Sequence, residues 1–353
     1  MISTISTIQN PLLLIRPQKY AQIPLRETDC IIPHMLLLPD RTYCVSEGVA
    51  DSIRLFVPLD INDKIYPQNQ DDENILIIFP GGIGDFLTAR PAFKQLKQQG
   101  KNLIICSNLQ DWEIVGDIIE GFLPYPPTIE TITSFPCWIS LDEHIRSDNS
   151  LGILEQRYAK ALGIEELTFQ KDLPGFDCMI PLANSLLGPY SPKLAFHLRT
   201  ASIYKNPPAM FWGQLAILLA SNNMHIYFVG TAKQDIKLTI KGEPAFPAFI
   251  HNLCGKLPSI KLLFAALSLM DMIIAPDSFA LHVGGILGKP TIGLWGPTSP
   301  QMIMNYPSVV SIQGQKECAP CNEIGSPCIN AYCKAFDAID LSMILEIIEA
   351  QLN

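Results

Sequence analysis

The chain has 353 residues, 48% hydrophobic and 17% charged, with a net charge of −9. That length favours two domains, each with its own core, and the acidic balance argues against a protein that grips nucleic acid through a basic face, so no nucleic-acid partner is expected. No apolar run reaches the roughly 18 residues of a membrane span, and the N-terminus lacks the basic and sustained apolar regions of a secretory signal, so a cytoplasmic protein is expected.

Residues 1–70 alternate short apolar runs at 12–15, 35–38 and 53–57 with Pro, Asp and Gly breaks. This predicts a small β-rich extension without long helices. The polar stretch 67–74 separates it from an α/β segment. There a buried strand at 75–79, a glycine-rich turn at 81–85, a helix over 86–99 closed by Gly100 and a second strand at 103–106 follow in order. Residues 121–150 are Pro- and Ser-rich and take no assignment, 150–162 reads as a helix, and 163–192 as a Gly- and Pro-rich linker. A second α/β segment opens with a strand at 194–198. It continues with a helix at 208–220, a strand at 225–229, a helix after Gly230 and another at 260–269.

The stretch 271–300 is the most informative. An apolar strand at 272–275 breaks at Pro276-Asp277-Ser278, and Ser278 is placed as the N-cap of a helix running to about 287. Gly288-Lys289-Pro290 ends that helix, 291–294 is a second apolar strand, and Gly296-Pro297-Thr298 turns the chain out of the sheet. An amphipathic helix at 341–352 closes the chain. The order predicts an α/β protein with two Rossmann-like lobes facing a cleft. The lobes span 71–185, after the extension 1–70, and 186–340, with a C-terminal helix at 341–353.

Charge follows this division. Residues 1–185 hold 14 Lys and Arg against 24 Asp and Glu (net −10), and residues 186–353 hold 11 against 10 (net +1). A C-terminal lobe that holds an anionic ligand would show this asymmetry, as would charge that drifts without function.

A helix N-terminus and a Gly-Pro loop at the carboxyl ends of adjacent parallel strands are where open α/β sheets bind phosphorylated ligands. The backbone at Ser278 and Phe279, with Gly296, Pro297 and Thr298, forms the expected diphosphate cradle. Asp277 beside it either holds a sugar hydroxyl or closes the turn. His282, on the helix, is of a kind more often packed than catalytic. Lys205, in the loop after the strand at 194–198, reads either as a solvated charge or as a phosphate contact, and Arg199 is a weaker candidate for the same contact.

In the N-terminal lobe, Gly81, Gly82 and Gly84 let backbone approach a ligand closely. The third glycine of a dinucleotide fingerprint falls on Leu87, and the second strand ends in Ser107-Asn108 with no ribose-binding acid. A hydride-transferring dehydrogenase is thereby disfavoured. Asp85 reads either as an acid favoured by the helix dipole or as a general base for an acceptor hydroxyl.

Several of these residues together carry a resemblance. Asn252-Leu253-x-Gly255-Lys256, Asp277-Ser278-x-x-Leu281-His282, Gly288-x-Pro290 and Gly296-Pro297-Thr298-x-Pro300 resemble glycosyltransferase family 9, the ADP-heptose:lipopolysaccharide heptosyltransferases. Gly84-Asp85 with Pro91, and Lys205 with Trp212, match further elements of that family, over roughly residues 75–340. The resemblance implies a GT-B architecture and a metal-independent, inverting transfer of a sugar, most simply heptose from ADP-heptose. The acceptor would be a hydroxyl on a glycolipid core oligosaccharide or a protein serine. It implies Asp85 as base, Lys205 as the cation for the departing diphosphate, and Asp277 with the adjoining helix N-terminus as donor ligands. No cofactor would be required for catalysis. A peripheral position at the inner membrane and a homo-oligomer are compatible with it. A nucleotide-sugar epimerase of the same fold, or a non-catalytic nucleotide-sugar-binding protein, are the rival readings. The chain departs from the family at Phe279, where glycine is usual, and at Pro207 and Phe211 in the lysine element.

Of ten cysteines most are scattered in apolar runs, as reduced thiols are. Cys318, Cys321, Cys328 and Cys333 instead cluster at x2, x6 and x4 spacing, which suits a tetrahedral thiolate site, plain reduced surface thiols or an occasional disulfide. With the N-terminal extension, the cluster is similar to the autotransporter heptosyltransferase branch. That likeness implies a structural iron or zinc.

Overall fold

The computed structural model describes residues 12–18, 21–24, 34–39, 41–65, 72–108, 112–141, 145, 152–200, 202–230, 239–240, 243–244, 248–321, 328, 330 and 332–352. The described residues through Asp172 form one unit and those from Leu173 a second.

In the first unit, β1 (Leu12–Pro17) lies between β4 (Tyr43–Val45) and β5 (Leu59–Ile65) in an antiparallel sheet. β2 (Ala21–Pro24) and β3 (His34–Leu37) pair separately. The extension also holds a helix that apolar patterning did not reveal, α1 (Glu47–Arg54), whose N-cap Ser46 accepts from Val49 N–H. Leu13, Ile15 and Ile53 of the extension share one apolar core with Leu76, Ile78 and Trp138.

That second set belongs to a four-stranded sheet of β6 (Asn74–Ile78), β7 (Asn102–Ser107), β8 (Gly121–Pro124) and β9 (Cys137–Ser140). All are parallel, in the order β8-β7-β6-β9. The chain leaves β6 through α2 (Ile83–Gln98), passes outward through α3 (Trp112–Val115) to β8, then returns through α4 (Ile129–Thr133) to the opposite side of β6. The direction of winding therefore reverses at β6, and the carboxyl end of such a strand is where a ligand crevice opens. Residues 121–150, unassigned by sequence pattern, thus contain two strands and a helix. α5 (Leu154–Ala161) then packs against α2.

The second unit begins with α6 (Ile180–Leu187), inside the expected linker, with a proline in its first turn. Its six-stranded sheet is built from β10 (Lys193–His197), β11 (His225–Val229), β14 (Ile250–Asn252), β15 (Met272–Pro276), β16 (Thr291–Trp295) and β17 (Val309–Gln313). A small hairpin, β12 (Thr239–Ile240) with β13 (Glu243–Pro244), stands apart. The order β14-β11-β10-β15-β16-β17 is parallel throughout. Taken in chain order this is the 3-2-1-4-5-6 arrangement of dinucleotide-binding sheets, with its switch point between β10 and β15. Both strands are buried over most of their length, which accounts for their unbroken apolar runs.

The connecting helices are α7 (Ala209–Ser221), α8 (Ile260–Ser268), α9 (Phe279–Ile286), α10 (Pro300–Ile303) and α11 (Leu341–Leu352). α9 stops at Gly288, whose φ of +65° suits glycine. α11 buries Ile344 and Ile348 in the same core as β10 and β15. The helix expected after Gly230 falls on residues outside the described set. No helix among the described residues is long and apolar enough to cross a membrane.

Candidate active site

Two groups of polar side chains gather at the carboxyl ends of the two parallel sheets. In the second unit the switch point places the ends of β10 and β15 side by side. Lys205, in a 3-10 turn (Ile203–Lys205) beyond β10, brings Nζ to 2.6 Å from Asp277 Oδ2, just beyond β15. Thr298 Oγ1, from the loop after β16, donates to the same carboxylate oxygen at 2.8 Å. All three residues are buried. Burial alone would push the Asp277 carboxyl up, but the Lys205 charge and the hydrogen bonds from Lys205 and Thr298 outweigh it and hold the group below its ordinary value. Three residues from three loops therefore form one fixed ionic cluster.

Ser278 stands at the N-cap of α9, as expected, yet its side chain makes no cap bond. Its Oγ is hydrogen-bonded to His197 Nδ1 at 3.1 Å instead. His197 ends β10, so this bond crosses the switch point. Burial pushes the imidazole down to about 4, so it is neutral at physiological pH. The Phe279 ring meets it edge-on at 4.8 Å between centroids. Sequence reasoning missed His197, although a polar residue ending an otherwise apolar parallel strand was a usable signal.

The remaining candidates in this unit fall into place less directly. His282 is buried on α9, within electrostatic reach of Asp277, and its Nδ1 lies 3.2 Å from the Tyr306 hydroxyl. Among the described residues no polar contact ties exposed Arg199 to the cluster. Trp212 is a core residue packed on Phe196, at 5.3 Å between ring centroids, and makes no observed contact with the cluster among the described residues.

The loop Gly296-Pro297-Thr298 rests on the cysteine segment. A Cβ added to Gly296 would lie 2.7 Å from the Phe336 ring and 3.1 Å from Cys333 Sγ. Cys321 Sγ approaches the Pro297 carbonyl at 3.9 Å. Cys318, Cys321, Cys328 and Cys333 are all free thiols. Burial pushes the Cys333 thiol up against a backbone hydrogen bond at Ala335 that lowers it, and the neighbouring Cys321, Cys318 and Cys328 add to the rise. As arranged they do not converge: among the described residues no three His, Cys, Asp or Glu side chains form a group that could hold a metal.

In the first unit, α2 begins at Ile83, three residues earlier than patterning indicated. Asp85 consequently sits in the first helical turn and not in a preceding loop. Gly82 is the N-cap and has no side chain to satisfy the free amides, so Asp85 reaches back and its Oδ2 accepts from Gly82 N–H at 2.8 Å. Its Oδ1 accepts from the Tyr158 hydroxyl at 2.8 Å. Gly81 is required by close approach, since a Cβ there would come 2.7 Å from Asp85 Cβ. Gly82 and Gly84 are half-buried in the same turn. Tyr158, 73 residues distant on α5, carried no sequence signal beyond that of a core aromatic.

The profile of glycosyltransferase family 9 (heptosyltransferase) matches residues 151–331, just over half of the chain. The lipopolysaccharide core heptosyltransferase OpsX of Haemophilus influenzae is 25% identical over 117 residues. That match spans 33% of this chain and only 33% of OpsX. Among solved structures, E. coli ADP-heptose LPS heptosyltransferase II superposes with a TM-score of 0.57 at 15% identity, over 79% of this chain and 98% of its own. A family 9 glycosyltransferase from Veillonella parvula gives 0.59 at 15%, over 80% and 98%. TibC of enterotoxigenic E. coli, described as an iron-containing dodecameric glycosyltransferase, gives 0.56 at 12%, over 98% and 92%. Identities this low speak to fold, and the fold is GT-B, built on two parallel Rossmann-type sheets with added N-terminal strands. Joined to the profile match, it makes this chain a member of glycosyltransferase family 9, the heptosyltransferase family, and a glycosyltransferase.

Proposed function

We propose that the protein transfers heptose from ADP-heptose, with inversion, to a hydroxyl acceptor. The observation that carries this reading is the buried Lys205–Asp277–Thr298 cluster at the switch point of a 3-2-1-4-5-6 sheet. A nucleoside diphosphate leaving group needs a fixed cation and backbone amides where its charge develops. Lys205 and the N-terminus of α9 supply them, with Arg199 as an outer cation. Asp277, Ser278, Phe279, His282 and the loop Gly296-Pro297-Thr298 shape the donor pocket. In the first unit, which serves as the acceptor lobe, Gly81, Gly82 and Gly84 admit the acceptor.

The acceptor O–H gives its proton to Asp85, and the oxygen forms the new bond to the anomeric carbon. The bond from that carbon to the diphosphate oxygen breaks, and its electron pair leaves with ADP. Catalysis needs no metal in this scheme. A hydroxyl on a protein suits the acceptor better than an anionic glycolipid, because residues 1–185 carry a net charge of −10. The likeness to TibC over 98% of this chain, against 79% and 80% for the other two structures, also takes in the N-terminal extension. A cytoplasmic location follows from the proposed donor. The test is a screen of nucleotide-sugar donors for diphosphate release, with a serine-rich protein and with lipid core oligosaccharide as acceptors. ADP-heptose with the protein acceptor should give the largest release. Release of ADP and an epimerised free sugar without any acceptor would overturn transfer.

We further propose that Cys318, Cys321, Cys328 and Cys333 take a structural iron or zinc. Four free thiols close together in the chain, with Cys333 and Cys321 both at the Gly296-Pro297 loop, are a suitable donor set, though loading has to draw them together. Thiolates in all four positions leave none open for chemistry. The contact of Cys333 and Cys321 with Gly296 and Pro297 would let that ion stiffen the donor loop. Elemental analysis after anaerobic purification should find about one metal per chain, as expected of a four-thiolate site. Less than half an equivalent would remove the proposal.

A further inference from the structure

Tyr158 is completely buried, yet it carries a hydroxyl that a core position does not need. Its ring stands edge-on to Phe79 at 5.2 Å, and Phe79 in turn packs on Phe86 of α2 at 4.7 Å. A phenylalanine would make the same ring contacts. A buried hydroxyl costs desolvation unless it is bonded, and here it donates to Asp85 Oδ1 at 2.8 Å. On the other oxygen Gly82 N–H donates at 2.8 Å. One donor comes from the turn before α2 and the other from α5. With a donor on each oxygen, the carboxylate cannot rotate about its terminal bond without losing both. Hydrogen bonds given to the anionic form also favour it over the acid.

α5 is itself held in place. Arg157, buried beside Tyr158, donates from Nε to the Gly152 carbonyl at 2.6 Å, and Lys171 pairs with Glu155 at 2.6 Å. Tyr158 therefore presents its hydroxyl from a braced element.

We propose that Tyr158 is a positioning residue for Asp85, orienting the carboxylate and keeping it ionised for proton transfer from the acceptor. The inference rests on the reading of Asp85 as the base.

Its first test needs no substrate. In full-length protein labelled with 13C at aspartate carboxyls, Asp85→Asn assigns the Asp85 signal, and a pH titration then reads its pKa. Tyr158→Phe should raise that pKa by about one unit, because a donor to the charged form is lost. Incorporating 3-fluorotyrosine at position 158 strengthens the donor and should shift it the other way. This second substitution retains the ring and the hydrogen bond, so it reports even if Tyr158→Phe folds poorly. A pKa that moves in neither protein overturns the inference.

The second test follows diphosphate release from ADP-heptose. Tyr158→Phe should lower kcat about tenfold, leave donor KM unchanged and move the acid limb of kcat/KM upward by about one pH unit. In the Asp85→Asn background the same change should have no further effect. An unmoved acid limb counts against Tyr158 alone. Undiminished turnover in Asp85→Asn counts against the base reading, whatever the titration shows.

Discussion

Replacing Lys205 by methionine should lower turnover by about 10²- to 10³-fold, the loss typical when one fixed charge-stabilising group is removed from a site of developing charge. It should also destabilise the second unit by about 3–5 kcal/mol, because Asp277 is left buried without its cation. The two effects have separate causes, and a second variant separates them. Lys205→Met with Asp277→Asn leaves no charge stranded, and the asparagine can still accept from Thr298. Denaturant unfolding should recover most of the lost stability in the double variant, as expected for residues in direct contact. Turnover should stay low, since the buried cation at the diphosphate is gone and exposed Arg199 does not replace it. A Lys205→Met enzyme that unfolds easily yet keeps kcat within about threefold would reduce Lys205 to a structural counterion, well short of the loss expected for a catalytic cation.

The same pair predicts a pH dependence with a definite sign. In the native protein Asp277 is held below its ordinary value of 3.8, so its contribution to stability is present above that value. It is lost as pH falls through the depressed native value. Without Lys205, burial dominates and raises the carboxyl, so the penalty is largest at neutral pH and shrinks as the group takes up a proton. The stability gap between native protein and Lys205→Met should therefore narrow steadily from pH 7 towards pH 3.

How far such groups could be read from sequence depended on whether their geometry was local. The run from Met272 to Thr298 was legible because each boundary is a local event: apolar strands, a break at Pro276, a glycine with φ of +65° behind α9, and a Gly-Pro turn after β16. Asp277, Ser278 and Thr298 could be named from it, and Lys205 from its place after β10. Their joining into one buried cluster could not, since it depends on β10 and β15 pairing residues 78 apart in the chain, Leu194 with Met272. The bonds of Tyr158 to Asp85 and of His197 to Ser278, 73 and 81 residues apart, were hidden for the same reason.

The missed elements failed differently. β8 and β9 have four residues each, and α6 carries Pro181 in its first turn and ends at Gly188. Local composition there resembles a loop, and parallel neighbours or helix packing supply the order. The start of α2 was misplaced because its cap is inverted: glycine holds the N-cap, and the carboxylate that bonds it lies three residues inside the helix.

That inversion gives Asp85 a structural duty that has to be separated from its role as the base. Asp85→Asn is the decisive substitution. Asparagine has the same size, and its carbonyl oxygen can still accept from Gly82 N–H, so the cost to stability should be about 1 kcal/mol or less. It cannot take a proton from an acceptor hydroxyl. Turnover should accordingly fall by about 10²- to 10⁴-fold, the range for loss of a general base. Affinity for ADP, measured by calorimetry, should not change, because the proposed donor ligands all belong to the second unit. Asp85→Ala supplies the contrast. It removes the cap, the acceptor of the buried Tyr158 hydroxyl and the base together, so it should match asparagine in turnover while losing about 2–3 kcal/mol more stability. Were Asp85 only a helix cap, the order would reverse: asparagine would work nearly as well as aspartate, and activity across the three proteins would follow their stability. The base reading requires activity to follow the carboxylate instead, with the folded fraction held equal.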